Sequence, residues 1–434
     1  MEYLGMIGVI LALLTMIFMI TRGYHAAFAG LVASSILIVA NDMPLLETLV
    51  GPEASFVAEM GGFIIENYMV VLLGSVLATL LERSGATYTI AQKVIEIVGA
   101  DHPYSVMLAI FLIACILTYG GVSFFVVIFM VLPMARPLFK TLNIPWTLVT
   151  IPIFGGMSTV TMSMLPGAPS IPNILPANYL GTPLTSEAFL GIAASAGAVV
   201  FILLWMRYAL KQSLKRGEGY VDVEEQAGTL IAVAEDLPSI GRSVLPIISL
   251  ILVIIIFGDV PYIALTALAC AILIAVVSMQ SYIPDVKETF NDGIHASFST
   301  IMVTANTNAF ALMMTYAPDF QAFAANLWQL SLSPVIKLSI ACVLLSFLTG
   351  SAISATKVSL EQFAHLALDA GLQAPYLHRL IVIASSSFGV MPHTGSLVTY
   401  ATLSGLGHKE SLKYSLPTVT GANIVGLIVF LLLS

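Results

Sequence analysis

Charge is what this sequence has least of. Asp, Glu, Lys and Arg make up 9% of the 434 residues, against 58% hydrophobic, whereas a soluble domain carries about a quarter charged residues. That shortage excludes an ordinary water-soluble domain. The net charge is -8 and no basic cluster is present, so no nucleic-acid surface is expected. The three cysteines, Cys115, Cys270 and Cys342, lie inside apolar stretches with no paired spacing, which speaks against a disulfide framework or a thiolate metal site and leaves them as core residues. No HExxH or GxSxG pattern occurs, and His365 and His378 stand apart from any metal-ligand spacing. An enzyme, a metal centre and a bound cofactor are therefore not expected.

What the sequence does have is length suited to hydrocarbon. The apolar runs 4–20, 24–40, 62–81, 189–206, 244–257, 262–277, 294–316 and 416–433 are each about long enough to cross ~30 Å of lipid as helices. The first run has no basic stretch before it and no clear small-residue cleavage site after it, so it is expected to remain as a helix. One hydrophilic linker, 211–242, opens KQSLKRGEGYVDVEEQ and divides the chain near its middle. Placing it in the cytoplasm puts Arg207, Lys211, Lys215, Arg216 and Arg242 inside. Counting spans outward adds Arg22, Arg83, Lys93, Arg136, Lys140, Lys287, Lys409 and Lys413. Of the sixteen basic residues, only Lys337, Lys357 and Arg379 are left outside or within the membrane, as the positive-inside rule prefers. Both termini are then expected to face outward.

The count closes only if two apolar segments turn back. Segment 103–135 is too long for one crossing, carries YGGVSFF at its middle and has both ends on the inside. Segment 334–368 repeats the pattern around TGSAISAT with both ends outside. Two further segments, 144–180 and 379–402, are interrupted by MLPGAPSIPN and VMPHTGS. Pro166, Pro169, Pro172 and Gly167 would strip a continuous helix of several internal bonds, and broken backbone at membrane depth is tolerated only where protein or a watery cavity surrounds it. The expected fold is an all-α polytopic membrane protein of two inverted repeats, 1–210 and 243–434. Each has about five transmembrane helices, one re-entrant hairpin and a helix broken at the midplane. IACILTYGGVS resembles IACVLLSFLTGSAIS, and Gly62, Gly121 and Pro166 recur at nearly constant spacing as Gly293, Gly350 and Pro392. Paired interruptions of this kind mark the binding site of secondary transporters. A passive anion channel would call for a continuous pore-lining pattern or charged rings, and neither is evident.

At LLERSGA (80–86), TGSAISAT, MLPGAPSIPN and MPHTGS, in that order along most of the chain, the sequence resembles the gluconate permease family of proton symporters within the ion transporter superfamily. The Gly350-Ser351-Ala352 tip is similar to the family's Gly-Ser-Ala-Thr. His393 falls where the family often has Ser-His-Val-Asn-Asp, but here the run reads Pro-His-Thr-Gly-Ser, without the Asn and Asp. The resemblance implies import of a small hydroxy- or keto-carboxylate, a homodimer with a scaffold and a moving transport domain (an elevator), and a bacterial inner-membrane location.

Half-helices ending at the two tips and two breaks would aim N–H groups at one centre and bind an anion without arginine, and no Arg lies at the middle of a proposed crossing. The expected ligands are Gly120, Gly121 and Ser123 at the first tip and Thr161, Gly167, Ser170 and Asn173 at the first break. Gly350, Ser351, Ser354 and Thr356 serve the second tip, and His393, Thr394 and Ser396 the second break. Asn306 and Asn308 in TANTNAF are two amides inside a crossing, where they face protein or water. Each Ser or Thr alone is as readily a helix cross-link; their concentration at the interruptions favours a site. For proton coupling the candidates are His393, whose ordinary pKa lies near neutrality, and Glu66. Sodium bound by hairpin oxygens is the competing coupling ion.

Overall fold

The computed structural model describes residues 4–98, 102–119, 124–168, 170–221, 236–257, 262–329 and 331–434. Among the described residues it has nineteen α-helices and no strand. In the first half these are α1 (Leu4–Thr21), α2 (Ala26–Ala40), α3 (Leu45–Val50), α4 (Phe56–Arg83), α5 (Ala86–Val98), α6 (Pro103–Tyr119), α7 (Phe124–Thr141), α8 (Thr150–Gly155), α9 (Ile171–Leu180) and α10 (Ala188–Lys215). A 3₁₀ turn, Trp146–Val149, leads into α8, which runs on as a π-helix, Gly156–Met164. The second half has α11 (Ile240–Ile256), α12 (Ile263–Met279), α13 (Val286–Tyr316), α14 (Pro318–Leu327), α15 (Pro334–Thr349), α16 (Ala352–Asp369), α17 (Ala374–Ser385), α18 (Gly395–Ser404) and α19 (His408–Leu433).

Each apolar run read from the sequence falls within one helix, to within two residues. Helix α10 continues to Lys215 and α11 starts at Ile240, so helix takes in both edges of the segment 211–242. Helix α7 passes 135 and ends at Thr141 despite Pro133 and Pro137. Local signals set the helix ends. Ser55 and Asp285 accept the Ala58 and Glu288 N–H groups at 3.0 and 2.9 Å, satisfying first-turn donors. The left-handed Gly181, Gly350 and Gly405 stop α9, α15 and α18, a conformation that glycine takes at no steric cost.

The longest helices pair antiparallel. Along α4 and α13, Arg83 meets Asp292 at 2.5 Å, Ser75 Oγ donates to Gly293 O at 2.7 Å, Tyr68 packs on Phe298, and Glu59 accepts from the Tyr316 hydroxyl at the far end. The pair α10 and α19 runs the same way: Trp205 Nε1 donates to Thr418 Oγ1 at 3.0 Å, Gly421 lies on Phe201, and Gly197 lies on Val429. Contacts sort the connecting segments into two sets. One end of the molecule joins Arg83 to Asp292, Thr89 to Pro238 O, Trp146 to Ser404 O and Tyr220 N to Asn143. The other joins Glu59 to Tyr316, Met6 N to Asp319, Lys337 to Trp328 O and Tyr376 to Ser434.

Between these ends the outer surface is greasy. Ile65 is 85%, Val277 80% and Leu432 78% exposed, an apolar surface too extensive for water. With five helices long and apolar enough to span lipid, this is a multi-pass membrane protein.

Candidate functional site

The second tip is built by two residues. Gly350 at φ +62° ends α15, donating to Ser346 O at 2.8 Å, and Ser351 caps α16 by accepting the Ser354 N–H at 3.2 Å. This turn is seated on the interruption between α17 and α18. A Cβ on Gly350 would stand 2.6 Å from both His393 Nε2 and Thr394 Cγ2. Ser346 Oγ accepts the Phe388 N–H at 2.9 Å, and Phe347 packs edge-on against the Phe388 ring. His393 is 1% exposed and edge-on to Phe310. Neither of its ring nitrogens makes a hydrogen bond of ordinary geometry, although the Leu348 and Thr349 main chain faces the ring. The ring is thus buried against main chain with no well-formed hydrogen bond at either nitrogen, which is unusual for a buried imidazole.

The other expected residues of this half divide. Thr394 donates to Met391 O, and Ser396 Oγ lies 3.4 Å from Thr394 Oγ1. Ser354 Oγ donates to Ser351 Oγ at 3.1 Å, and Thr356 is buried with its hydroxyl unpartnered. Of TANTNAF, the residues against the break are Thr304, bonded to Thr399 Oγ1 at 2.7 Å, and Thr307, which crowds Gly395. The Asn306 side chain instead donates back to Met302 O at 2.7 Å, and Asn308 is half-buried. Thr304, Thr307 and Thr399 carry no signal in the sequence, because a threonine's contacts depend on which face of its helix it occupies.

The first break has a different entry. The π-helix Gly156–Met164 replaces the last turns of α8. Gly156 makes this possible, since a Cβ there would meet Ala114 Cβ at 2.6 Å and Phe111 O at 2.7 Å on α6. Hydroxyls tie the wide turns: Thr159 to Gly155 O, Thr161 to Gly156 O and Ser163 to Thr159 O, at 2.6 to 2.8 Å. Thr161 Oγ1 lies 2.6 Å from Thr118 Oγ1 at the end of α6, and the Tyr119 hydroxyl donates to Pro166 O. Thus α6 bears on the first break as α15 bears on the second. Gly120, Gly121 and Ser123 lie outside the described residues, as does Pro169. Gly167 (φ +80°) turns the chain and donates to Leu184 O at 3.0 Å, and Ser170 Oγ donates to Met162 O at 2.7 Å. Ser163 also donates to Asn423 of α19 at 2.9 Å.

Asn173 joins the two halves. Its amide donates to Ala168 O (2.8 Å) and Leu184 O (3.3 Å), while its Oδ1 bonds His378 Nε2 (2.9 Å) and accepts from Arg379 Nη1 (3.2 Å). Its polar atoms are thus engaged by protein. His378, isolated in the sequence, is fully buried and also bonds Thr182 Oγ1 at 2.7 Å. A second tie links Thr150 to the Tyr400 hydroxyl at 2.9 Å. Glu66 lies on the exposed face of α4.

Residues 4–264 match the family model described as GntP family permease. The chain belongs to this family. The permease is 26% identical to the uncharacterized transporter YxjC of Bacillus subtilis (strain 168), over 94% of each chain, and 22% identical to an uncharacterized permease of Haemophilus influenzae, over 88% of this chain and 81% of that protein. Among solved structures, the YdaH transporter of Alcanivorax borkumensis aligns over 87% of this chain and 86% of its own, at 13% identity and a TM-score of 0.40. The molecule is a permease and not an enzyme.

Proposed function

We propose that the permease is a secondary active transporter that carries a small organic hydroxycarboxylate, such as gluconate or a related sugar acid, by proton symport. The observation that carries this reading is the seating of the Gly350 tip on His393 and Thr394. It puts a hairpin turn, a helix interruption and an open imidazole in one buried place, together with the α18 N-terminus, which favours an anion. The corresponding contact of Thr118 with Thr161 supports a matching contribution from the first half.

Two inverted repeats are our reading of the architecture. Its support is the recurring element order and the antiparallel pairing of α4 with α13 and α10 with α19. In this reading α6–α7 and α15–α16 are re-entrant hairpins, and the molecular end holding Arg83 and Asp292 faces the cytoplasm. Hairpins and broken helices move together as an elevator against the remaining helices, in a homodimer. Cysteines cross-linking the Gly350 tip to a scaffold helix should trap one state. Full-rate uptake with the link formed would exclude that motion.

The deciding experiment is uptake by purified protein in liposomes, with labelled gluconate, lactate and 3-hydroxybutyrate, under a pH gradient or a sodium gradient. Accumulation driven by the pH gradient alone supports proton symport. Accumulation only with sodium keeps the transporter, removes His393 from coupling and turns the oxygens of the Ser351 and Ser354 tip into cation ligands. Failure to move any hydroxycarboxylate overturns the substrate class.

A further inference from the structure

Arg379 is the largest fully buried side chain in the structure. It lies on α17, in the second half, yet its guanidinium bonds only first-half groups: Nε donates to Ser186 O at 3.0 Å, Nη2 to Leu184 O at 2.9 Å and Nη1 to Asn173 Oδ1 at 3.2 Å. All three acceptors are neutral. Glu187, beside Ser186 in sequence, attracts it without forming an ion pair among the described residues. A buried charge with no countercharge costs several kcal/mol, and inside a membrane protein such a residue points to a functional partner.

The first break lies next to this charge. A Cβ on Gly191 would be 3.5 Å from Arg379 Nε, 2.6 Å from Met164 O and 3.3 Å from Pro166 Cγ, so the guanidinium and the end of the π-helix flank the same point. Asn173, which takes one guanidinium bond through Oδ1, donates through its amide to Ala168 O in the break itself. The ten-residue helix α9 starts there too, adding the partial positive charge of its N-terminus.

We infer that Arg379 is a specificity-determining residue: a fixed positive charge set behind the first break that makes it select an anionic over an uncharged solute. It acts through space and does not touch the solute. This rests on the carboxylate reading above, and it differs from a structural role in predicting effects of opposite sign. A unit charge ~10 Å from a carboxylate at an effective dielectric of ~20 supports a change of about tenfold in affinity.

The test is gluconate uptake in liposomes, with uncharged gluconamide as competitor. In Arg379→Gln the KM for gluconate should rise about tenfold and the preference over gluconamide should fall, while Arg379→Lys should keep most of that preference despite its poorer fit. Glu187→Gln, at the partly exposed start of α10, should shift the other way and lower the KM, because it removes the opposing charge. If Arg379→Gln fails to fold, the Glu187→Gln shift decides alone. A raised or unchanged KM in Glu187→Gln, or intact anion preference in Arg379→Gln, overturns the inference. Wild-type protein that moves no hydroxycarboxylate would instead overturn the functional reading on which it rests.

Discussion

Gly350 and His393, 43 positions apart in sequence, share one space that only glycine leaves open. The imidazole Nε2 lies 2.6 Å from where a Cβ at position 350 would stand, and the backbone there is left-handed. One residue thus sets both the turn of the hairpin and the room for the ring.

Replacing Gly350 with Ala should therefore be severe. The left-handed backbone alone costs roughly 1–2 kcal/mol for a residue with a Cβ, and the ring must also shift. Thermal unfolding in detergent should show the lost stability, and liposome uptake should drop to background while insertion is retained. Unchanged uptake would place the transported solute elsewhere.

His393→Gln keeps polarity but cannot titrate. Accumulation driven by a pH gradient should be lost, whereas exchange of labelled for unlabelled solute across the same liposomes should persist. Continued pH-driven accumulation would show that another group carries the proton.

The Thr118–Thr161 contact predicts a measurable coupling. Each Thr→Val variant removes the hydroxyl–hydroxyl bond, at about 0.5–1.5 kcal/mol, while the hydroxyl that remains keeps its main-chain acceptor, Ala114 O for Thr118 and Gly156 O for Thr161. The double variant should be less damaging than the sum, with a coupling of about 0.5–1.5 kcal/mol in a double-mutant cycle on detergent unfolding. Strict additivity would mean that the contact contributes nothing.

Asp292→Asn should matter little by itself. The Arg83–Asp292 pair is 35% and 40% exposed, and pairs of that kind contribute about 1 kcal/mol or less. Yet cysteines at 83 and 292, once oxidised, should leave uptake intact, since α4 and α13 belong to one body in the proposed motion. Uptake blocked by oxidation and restored by reduction would mean that the two helices slide.

Much of this architecture is legible in the sequence, because apolar length and proline placement are local properties. Leu, Ile and Val runs locate the long helices, and Pro166 with Gly167 locates the first break. The π-helix is not legible: GMSTVTMSM reads as ordinary helix, and its wide turns come from the fit of Gly156 against α6. Arg379 is hidden for a related reason. This residue, in the middle of a twelve-residue helix, is placed by the charge count only outside or within the membrane, and its burial rests on acceptors at 184–186, 193 and 195 positions away. In TANTNAF the polarity of Asn306 and Asn308 is visible in the sequence, but the helix rotation that turns Thr304 and Thr307 toward α18 is not.

The antiparallel union of α4 and α13 has a mechanical meaning. Two rods tied near both ends, by Arg83 with Asp292 and by Glu59 with Tyr316, would act as one body in the proposed motion. In that motion the face where α13 meets α18 would have to part, giving up the Thr304–Thr399 hydrogen bond at 2.7 Å and the close seating of Gly395 on Thr304 and Thr307.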